Sequence, residues 1–96
     1  MSVISSESFK EDSISSATYT IVIKDFRQKL AMAAVGEDSN TEEFTVNWTK
    51  FNFELFIAGV DEESQGYLSL YLYNRSDWMA RARMEISVKV CLNVWN

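Results

Sequence analysis

The stretch that decides the fold is GVDEESQGYLSLYLYN, residues 59–74, in which an acidic turn leads into an alternating segment. Successive side chains of a β-strand point to opposite faces, so this alternation gives a strand two distinct rows. The rows are Leu68, Leu70 and Leu72 on one face and Tyr67, Ser69, Tyr71 and Tyr73 on the other. Leucine is typical of a buried face, whereas tyrosine combines a flat apolar ring with a polar tip and is common at recognition surfaces. The pattern therefore predicts a strand with a candidate binding face.

Further strands are predicted on both sides of this stretch. Residues 18–24, 43–48 and 51–58 are rich in β-branched and aromatic residues, as strands are. In the last of them one face carries Phe51, Phe53, Leu55 and Ile57. Residues 28–35 contain good helix formers and predict one or two turns of helix.

The longest alternation covers residues 80–94, where apolar residues occupy the even positions and mostly polar residues the odd ones. It predicts an antiparallel strand with one wet and one dry face. Since strands of about five or six residues are typical, this run is expected to bend or break near its middle. Five strands and at most one short helix predict an all-β fold, an antiparallel sandwich.

Length and composition indicate one folded domain. The chain has 96 residues, of which 47% are hydrophobic and 24% charged, as in a globular protein. Residues 1–17 are rich in serine and are predicted to form a flexible N-terminal segment. The folded domain is predicted to cover residues 18–96.

Charge and hydropathy exclude several classes of partner. The net charge is −5 and the nine Lys and Arg residues are scattered, so no basic run is available to contact nucleic acid. No apolar run approaches the roughly 20 residues that a membrane-spanning helix needs. The polar N-terminus lacks the apolar core of a signal peptide, and the single Cys91 excludes an internal disulfide. We therefore expect a cytoplasmic or nuclear protein.

Catalysis is not expected, because the chain contains no histidine. This absence removes Ser-His-Asp and Cys-His nucleophile pairs and the commonest zinc ligand. The acidic runs 61–63 and 11–12 could be paired carboxylates, but a solvated turn is the favoured interpretation. Cys91 has no activating neighbour in sequence and is expected to be inert. The sequence predicts neither an enzyme nor a cofactor.

Four segments, in this order, resemble the MATH (meprin and TRAF homology) family. They are TYTIVIKDF at 18–26, a strand ending at Gly59, VDEESQGYLSLYLYN at 60–74 and RARMEISV at 81–88. The acidic turn followed by YLSLYL is the most specific of them and is most similar to the speckle-type POZ branch of the family. The resemblance covers roughly residues 18–88.

This resemblance implies a TRAF-like β-sandwich that binds short extended Ser/Thr-rich segments of protein substrates. In that branch, a following BTB domain recruits a cullin ubiquitin ligase. Carried over by position, Tyr71 and Met84 match residues of the peptide groove, and we add Tyr73 and Tyr67 from the same tyrosine row. Met84 also falls among the even, buried positions, so its role in a groove would require a β-bulge. The chain ends before the family's Asp-Trp-Gly-Phe segment, which predicts a partial MATH domain.

Three other interpretations remain open at this point. An incomplete sandwich would expose unpaired strand edges, through which copies of the chain could form a homo-oligomer. Alternatively, the chain is a truncated gene product without a binding function of its own. The tyrosine row itself could also be ordinary cross-strand packing.

Overall fold

The structure is a computed structural model that describes residues 3–85. This part of the chain contains one α-helix, one short 3-10 turn at Glu62–Ser64 and six strands, all paired antiparallel. The elements are β1 (Ser6–Ser13), β2 (Ser16–Val22), α1 (Phe26–Met32), β3 (Ser39–Asn40), β4 (Phe44–Val46), β5 (Thr49–Phe56) and β6 (Ser69–Asn74). The prediction of an all-β, antiparallel fold with one short helix is confirmed.

The strands form two sheets. Strands β1 and β2 make a two-stranded hairpin. In the second sheet β5 is central: β6 pairs along one of its edges, and β3 and β4 follow each other along the other edge. Within residues 3–85, therefore, every strand except the central β5, including β1, β4 and β6, has one edge without a partner strand.

Strand β5 is central and has buried residues on both of its faces. Leu55 is 3% exposed and packs with Val3 and Ile57 in the hydrophobic core. Phe51 and Phe53 lie on the same face of β5 as Leu55, and we call this the inner face. Two residues of the opposite face, Asn52 and Phe56, are buried as well, which the single predicted row did not anticipate.

The hairpin packs against the inner face of the second sheet through aromatic rings. The ring centres of Tyr19 and Phe44 lie 4.6 Å apart, and those of Phe9 and Phe44 lie 5.3 Å apart. Tyr19 also meets Phe53 edge-on at 5.5 Å. Tilted and edge-to-face pairs at these distances add to the stability gained from burial alone.

One residue of this aromatic cluster makes stability sensitive to alkaline pH. Burial, and next the hydrogen bond to Glu7, raise the pKa of Tyr19 from 10.0 to about 12. The unfolded chain therefore loses this proton at lower pH than the folded chain. The corresponding stability should be complete below pH 10 and disappear as pH rises through about 12.

Thermal melts between pH 9 and 12 check this expectation. The melting temperature of the wild type should fall more steeply above pH 10 than that of Tyr19→Phe, which cannot ionise. Parallel pH profiles for the two proteins would contradict it.

The structure corrects the prediction of a flexible segment over residues 1–17, because Ser6–Ser13 forms β1. The Tyr19 hydroxyl donates to Glu7 Oε1 over 2.5 Å, which joins β2 to β1. Just before β1, Val3 is buried, and its backbone N–H donates to Ser39 Oγ over 3.1 Å. Pairing with β2 thus overrides the low strand propensity of a serine-rich sequence.

Other boundaries also differ from the predictions. The strands predicted at 18–24, 43–48 and 51–58 form β2, β4 and β5, at Ser16–Val22, Phe44–Val46 and Thr49–Phe56. The helix covers Phe26–Met32, two residues earlier than its predicted start at 28. Residues 80–85 of the long C-terminal alternation belong to no strand. The rest of that predicted strand, with Cys91, lies outside the described residues.

Candidate functional site

The candidate site is the outer face of β5 and β6, opposite the hairpin. The register pairs Asn52 with Tyr73, Glu54 with Tyr71 and Phe56 with Ser69. Directly paired residues of antiparallel strands project to the same side of a sheet. We call this surface the tyrosine face and define it by Asn52, Glu54, Phe56, Tyr71, Tyr73 and Arg75.

Tyr73 is held at its tip and across its ring. Its hydroxyl donates to Glu54 Oε1 over 2.8 Å. The guanidinium carbon of Arg75 lies 4.8 Å from the ring centre, a cation–π distance, while Arg75 Nε donates to Asn52 Oδ1 over 2.6 Å. These contacts hold the Tyr73 ring in place, although its side chain is exposed to solvent.

Tyr71 covers an aromatic side chain of the neighbouring strand. Its ring meets Phe56 edge-on, with centres 5.9 Å apart, and lies 6.4 Å from the ring of Tyr73. Phe56 is buried, whereas Tyr71 and Tyr73 are 42% and 38% exposed. The two tyrosines therefore form a continuous, positioned and accessible aromatic surface.

Carboxyl groups border this surface. A side-chain hydrogen bond with Glu54, followed by one from Asn40, holds the pKa of Asp38 below its ordinary value. Asn40 Nδ2 donates to Asp38 Oδ2 over 3.2 Å. The hydrogen bond to Glu54 is also the main cause that raises the pKa of Tyr73. Glu54 thus connects Tyr73 with a second carboxyl group, that of Asp38, at the border of the tyrosine face.

The structure brings together Tyr71 and Tyr73 but separates the other two candidate residues from them. Tyr67 precedes β6 and is 73% exposed. Met84 is exposed in a segment without regular secondary structure, so the predicted buried position is wrong. Among the described residues, neither takes part in the contacts that assemble the tyrosine face.

The predicted leucine row is also shorter than expected. Leu70 packs against the core and Leu72 is half-buried, but Leu68 is 46% exposed. The cause is a turn: Gly66 has φ 92°, and β6 begins only at Ser69. The alternation of buried and exposed side chains therefore holds within β6 and does not extend to the residues that precede it.

The acidic turn before β6 is a capped 3-10 turn. Asp61 Oδ1 accepts hydrogen bonds from the backbone N–H and the hydroxyl of Ser64, over 2.9 and 2.8 Å. Asp61, Glu62 and Glu63 are exposed, as the solvated-turn interpretation requires. Within residues 3–85, no group of three or more Cys, Asp or Glu side chains is placed to hold a metal ion.

Four members of the tyrosine face were missed by sequence reasoning. They are Asn52, Glu54, Phe56 and Arg75. The alternation of β5 does place the first three on one face, so a signal existed. What the sequence lacks is the register that sets them beside Tyr73, Tyr71 and Ser69.

Comparison of the chain with protein-family models, with curated proteins and with solved structures finds no match. The likeness to MATH domains therefore stays a prediction carried by the quoted segments. In the described part of the chain, no helix has the length and apolar character needed to span a membrane.

Proposed function

We propose that the tyrosine face binds an extended Ser/Thr-rich segment of a partner protein. The observation that carries this proposal is a pair of accessible, fixed tyrosine rings on a strand whose second edge is unpaired within residues 3–85. Extended peptides commonly bind by adding a strand to such an edge. The resemblance to MATH domains points to the same class of ligand.

The chemistry of the surface suits hydroxyl-bearing side chains. Glu54 offers carboxylate oxygens, and the Tyr71 hydroxyl can both donate and accept. The Tyr73 hydroxyl, which donates to Glu54, can still accept. The rings supply apolar contact area at low entropic cost because each has only two side-chain torsions. Backbone pairing along β6 would supply affinity, and these groups would supply selectivity.

By the same resemblance, the bound segment would belong to a substrate of a cullin-based ubiquitin ligase in the cytoplasm or nucleus. The domain would act as the recognition module and would carry out no chemistry itself. Recruitment of the ligase would be the task of a BTB domain.

Fluorescence anisotropy with a labelled Ser/Thr-rich peptide tests the proposal. Tyr71→Ala should weaken binding by about tenfold or more, because it removes a central aromatic contact. Tyr67→Ala is the matched control, since it removes the same side chain from outside the tyrosine face.

Thermal melts of both variants must accompany the titration, so that a loss of binding is not a loss of folding. Two results contradict the proposal. One is absence of binding by the wild type at high micromolar peptide. The other is equal weakening by the two substitutions in folded protein.

A second candidate function is self-association through strand edges that are unpaired within residues 3–85, such as those of β1, β4 and β6. Exposure of Trp48 in the turn between β4 and β5 adds an apolar group beside one of these edges. Sedimentation velocity over a hundredfold range of concentration would show a shift toward a dimer or larger species. A constant monomer would exclude this function.

A further inference from the structure

A cavity lies between the hairpin and the start of β4, away from the tyrosine face. Its volume is about 340 Å³; one side is lined by Glu7, Ser8, Phe9 and Glu11 of β1, and the other by residues 42–45. Its lining combines three aromatic rings, those of Phe9, Tyr19 and Phe44, with four carboxylates, those of Glu7, Glu11, Glu42 and Glu43. We call it the glutamate groove.

The groove is acidic without compensation. No lysine or arginine lines it. Within residues 3–85, the only ion pair joins Arg83 and Glu85, so none of the four glutamates is in an ion pair with a lysine or arginine of the described chain. Like charges held near each other are unfavourable, and a bound cation relieves that repulsion.

One carboxylate is fixed while the others face solvent. Glu7 Oε1 accepts from the Tyr19 hydroxyl over 2.5 Å and from the backbone N–H of Glu42 over 2.9 Å. The bond from Glu42 joins the two sides of the groove at one point. Glu11, Glu42 and Glu43 are exposed and available to a ligand.

The aromatic walls favour cations on long apolar stems. The rings of Phe9 and Tyr19 each pack on Phe44, and Phe9 remains 37% exposed. Lysine and arginine combine an apolar stem, which packs on rings, with a charged head that binds carboxylates and ring faces. Such a wall would discriminate these side chains from a small inorganic cation.

The two sides of the groove are also strand edges. Strand β1 pairs only with β2, and β4 pairs only with β5, among the described strands. On β1, Glu7, Phe9 and Glu11 alternate along one face, so their spacing matches side chains two residues apart on an added strand. We propose that the glutamate groove binds an extended segment of a partner protein that carries Lys or Arg at alternate positions.

The probe for this proposal is a labelled peptide, acetyl-Thr-Lys-Thr-Lys-Val-Lys-amide, titrated by anisotropy at low salt. The double substitution Glu11→Gln with Glu43→Gln removes two carboxylates and nearly preserves shape. It should weaken binding by about tenfold. The matched control is Glu62→Gln with Glu63→Gln, which removes the same charge from the exposed 3-10 turn and should change binding less than about twofold.

Two further peptides separate groove binding from general attraction between opposite charges. The same peptide with alternate backbone N–H groups methylated should bind much more weakly, because it cannot pair with a strand edge. A scrambled peptide with its lysines adjacent should also bind more weakly. Tyr71→Ala should leave binding of the basic peptide unchanged, so this test is independent of the Ser/Thr-peptide proposal.

Three outcomes would overturn the inference. They are absence of wild-type binding at high micromolar peptide, equal weakening by the two double substitutions, and equal affinity for the methylated and unmethylated peptides. Thermal melts of the variants identify any loss caused by unfolding, and Glu11→Gln alone, on an exposed side chain, then serves as the milder variant.

Discussion

Replacing Gly59 with alanine should lower the free energy of unfolding by about 3 kcal/mol or more. This is a large loss for the addition of one methyl group. Gly59 has φ 94°, a region that L-residues rarely adopt. An added Cβ would also lie 2.4 Å from the backbone oxygen of Ser64, which cannot rotate away as a side chain would. Urea denaturation monitored by tryptophan fluorescence measures the loss.

Gly66→Ala provides the matched control. Gly66 has nearly the same φ, 92°, but a Cβ added there would meet no atom within 4 Å. Gly66→Ala should therefore lower the free energy of unfolding by only about 1–2 kcal/mol, which is the cost of placing an L-residue at positive φ. The difference between the two variants isolates the close approach of Gly59 to the turn that leads into β6. Equal losses would show that this contact is absent in solution.

The Gly59 contact illustrates which parts of the fold are readable from sequence. A glycine before an acidic run indicates a turn, and the strands on either side follow from alternation and β-branched residues. The close approach of residue 59 to residue 64 depends on the path of the chain between them. Sequence patterns describe local conformation and leave such distances undetermined.

Strand β1 shows a case in which local propensity predicted the wrong structure. Its serines and charged residues have low strand propensity, so the sequence predicted a flexible segment. Propensity is a weak guide where a neighbouring strand supplies partners, as β2 does here. The contact of Phe9 with Phe44 also crosses between the two sheets, which no local pattern reveals.

Two of the six residues that define the tyrosine face were predicted from the sequence. The tyrosine alternation correctly identified Tyr71 and Tyr73 as neighbours on an exposed face. Their partners, Glu54 and Arg75, depend on register and on the course of the chain after β6. Positional transfer from a family placed Met84 in the groove, but the described structure puts it in a segment without a strand.

Leu55→Ala should lower the free energy of unfolding by about 2–5 kcal/mol. Leu55 lies in the middle of the central strand, is 3% exposed, and contacts the core formed with Val3 and Ile57. Removing its side chain leaves a cavity that strands on both sides restrict from collapsing. Small domains have about 5–15 kcal/mol in total, so a large part of the population could unfold. Urea denaturation with unchanged slope would identify a simple loss of stability.

Leu68→Ala makes the same chemical change outside the core. Leu68 is 46% exposed and precedes β6, so this variant should lose no more than about 0.5 kcal/mol. The pair tests the assignment of the leucine row directly, because the sequence alone placed Leu68 on the buried face. If Leu68→Ala were as destabilising as Leu55→Ala, the strand would begin earlier than Ser69. Tyr67 would then rejoin Tyr71 and Tyr73 on the tyrosine face, and it could no longer serve as the control for peptide binding.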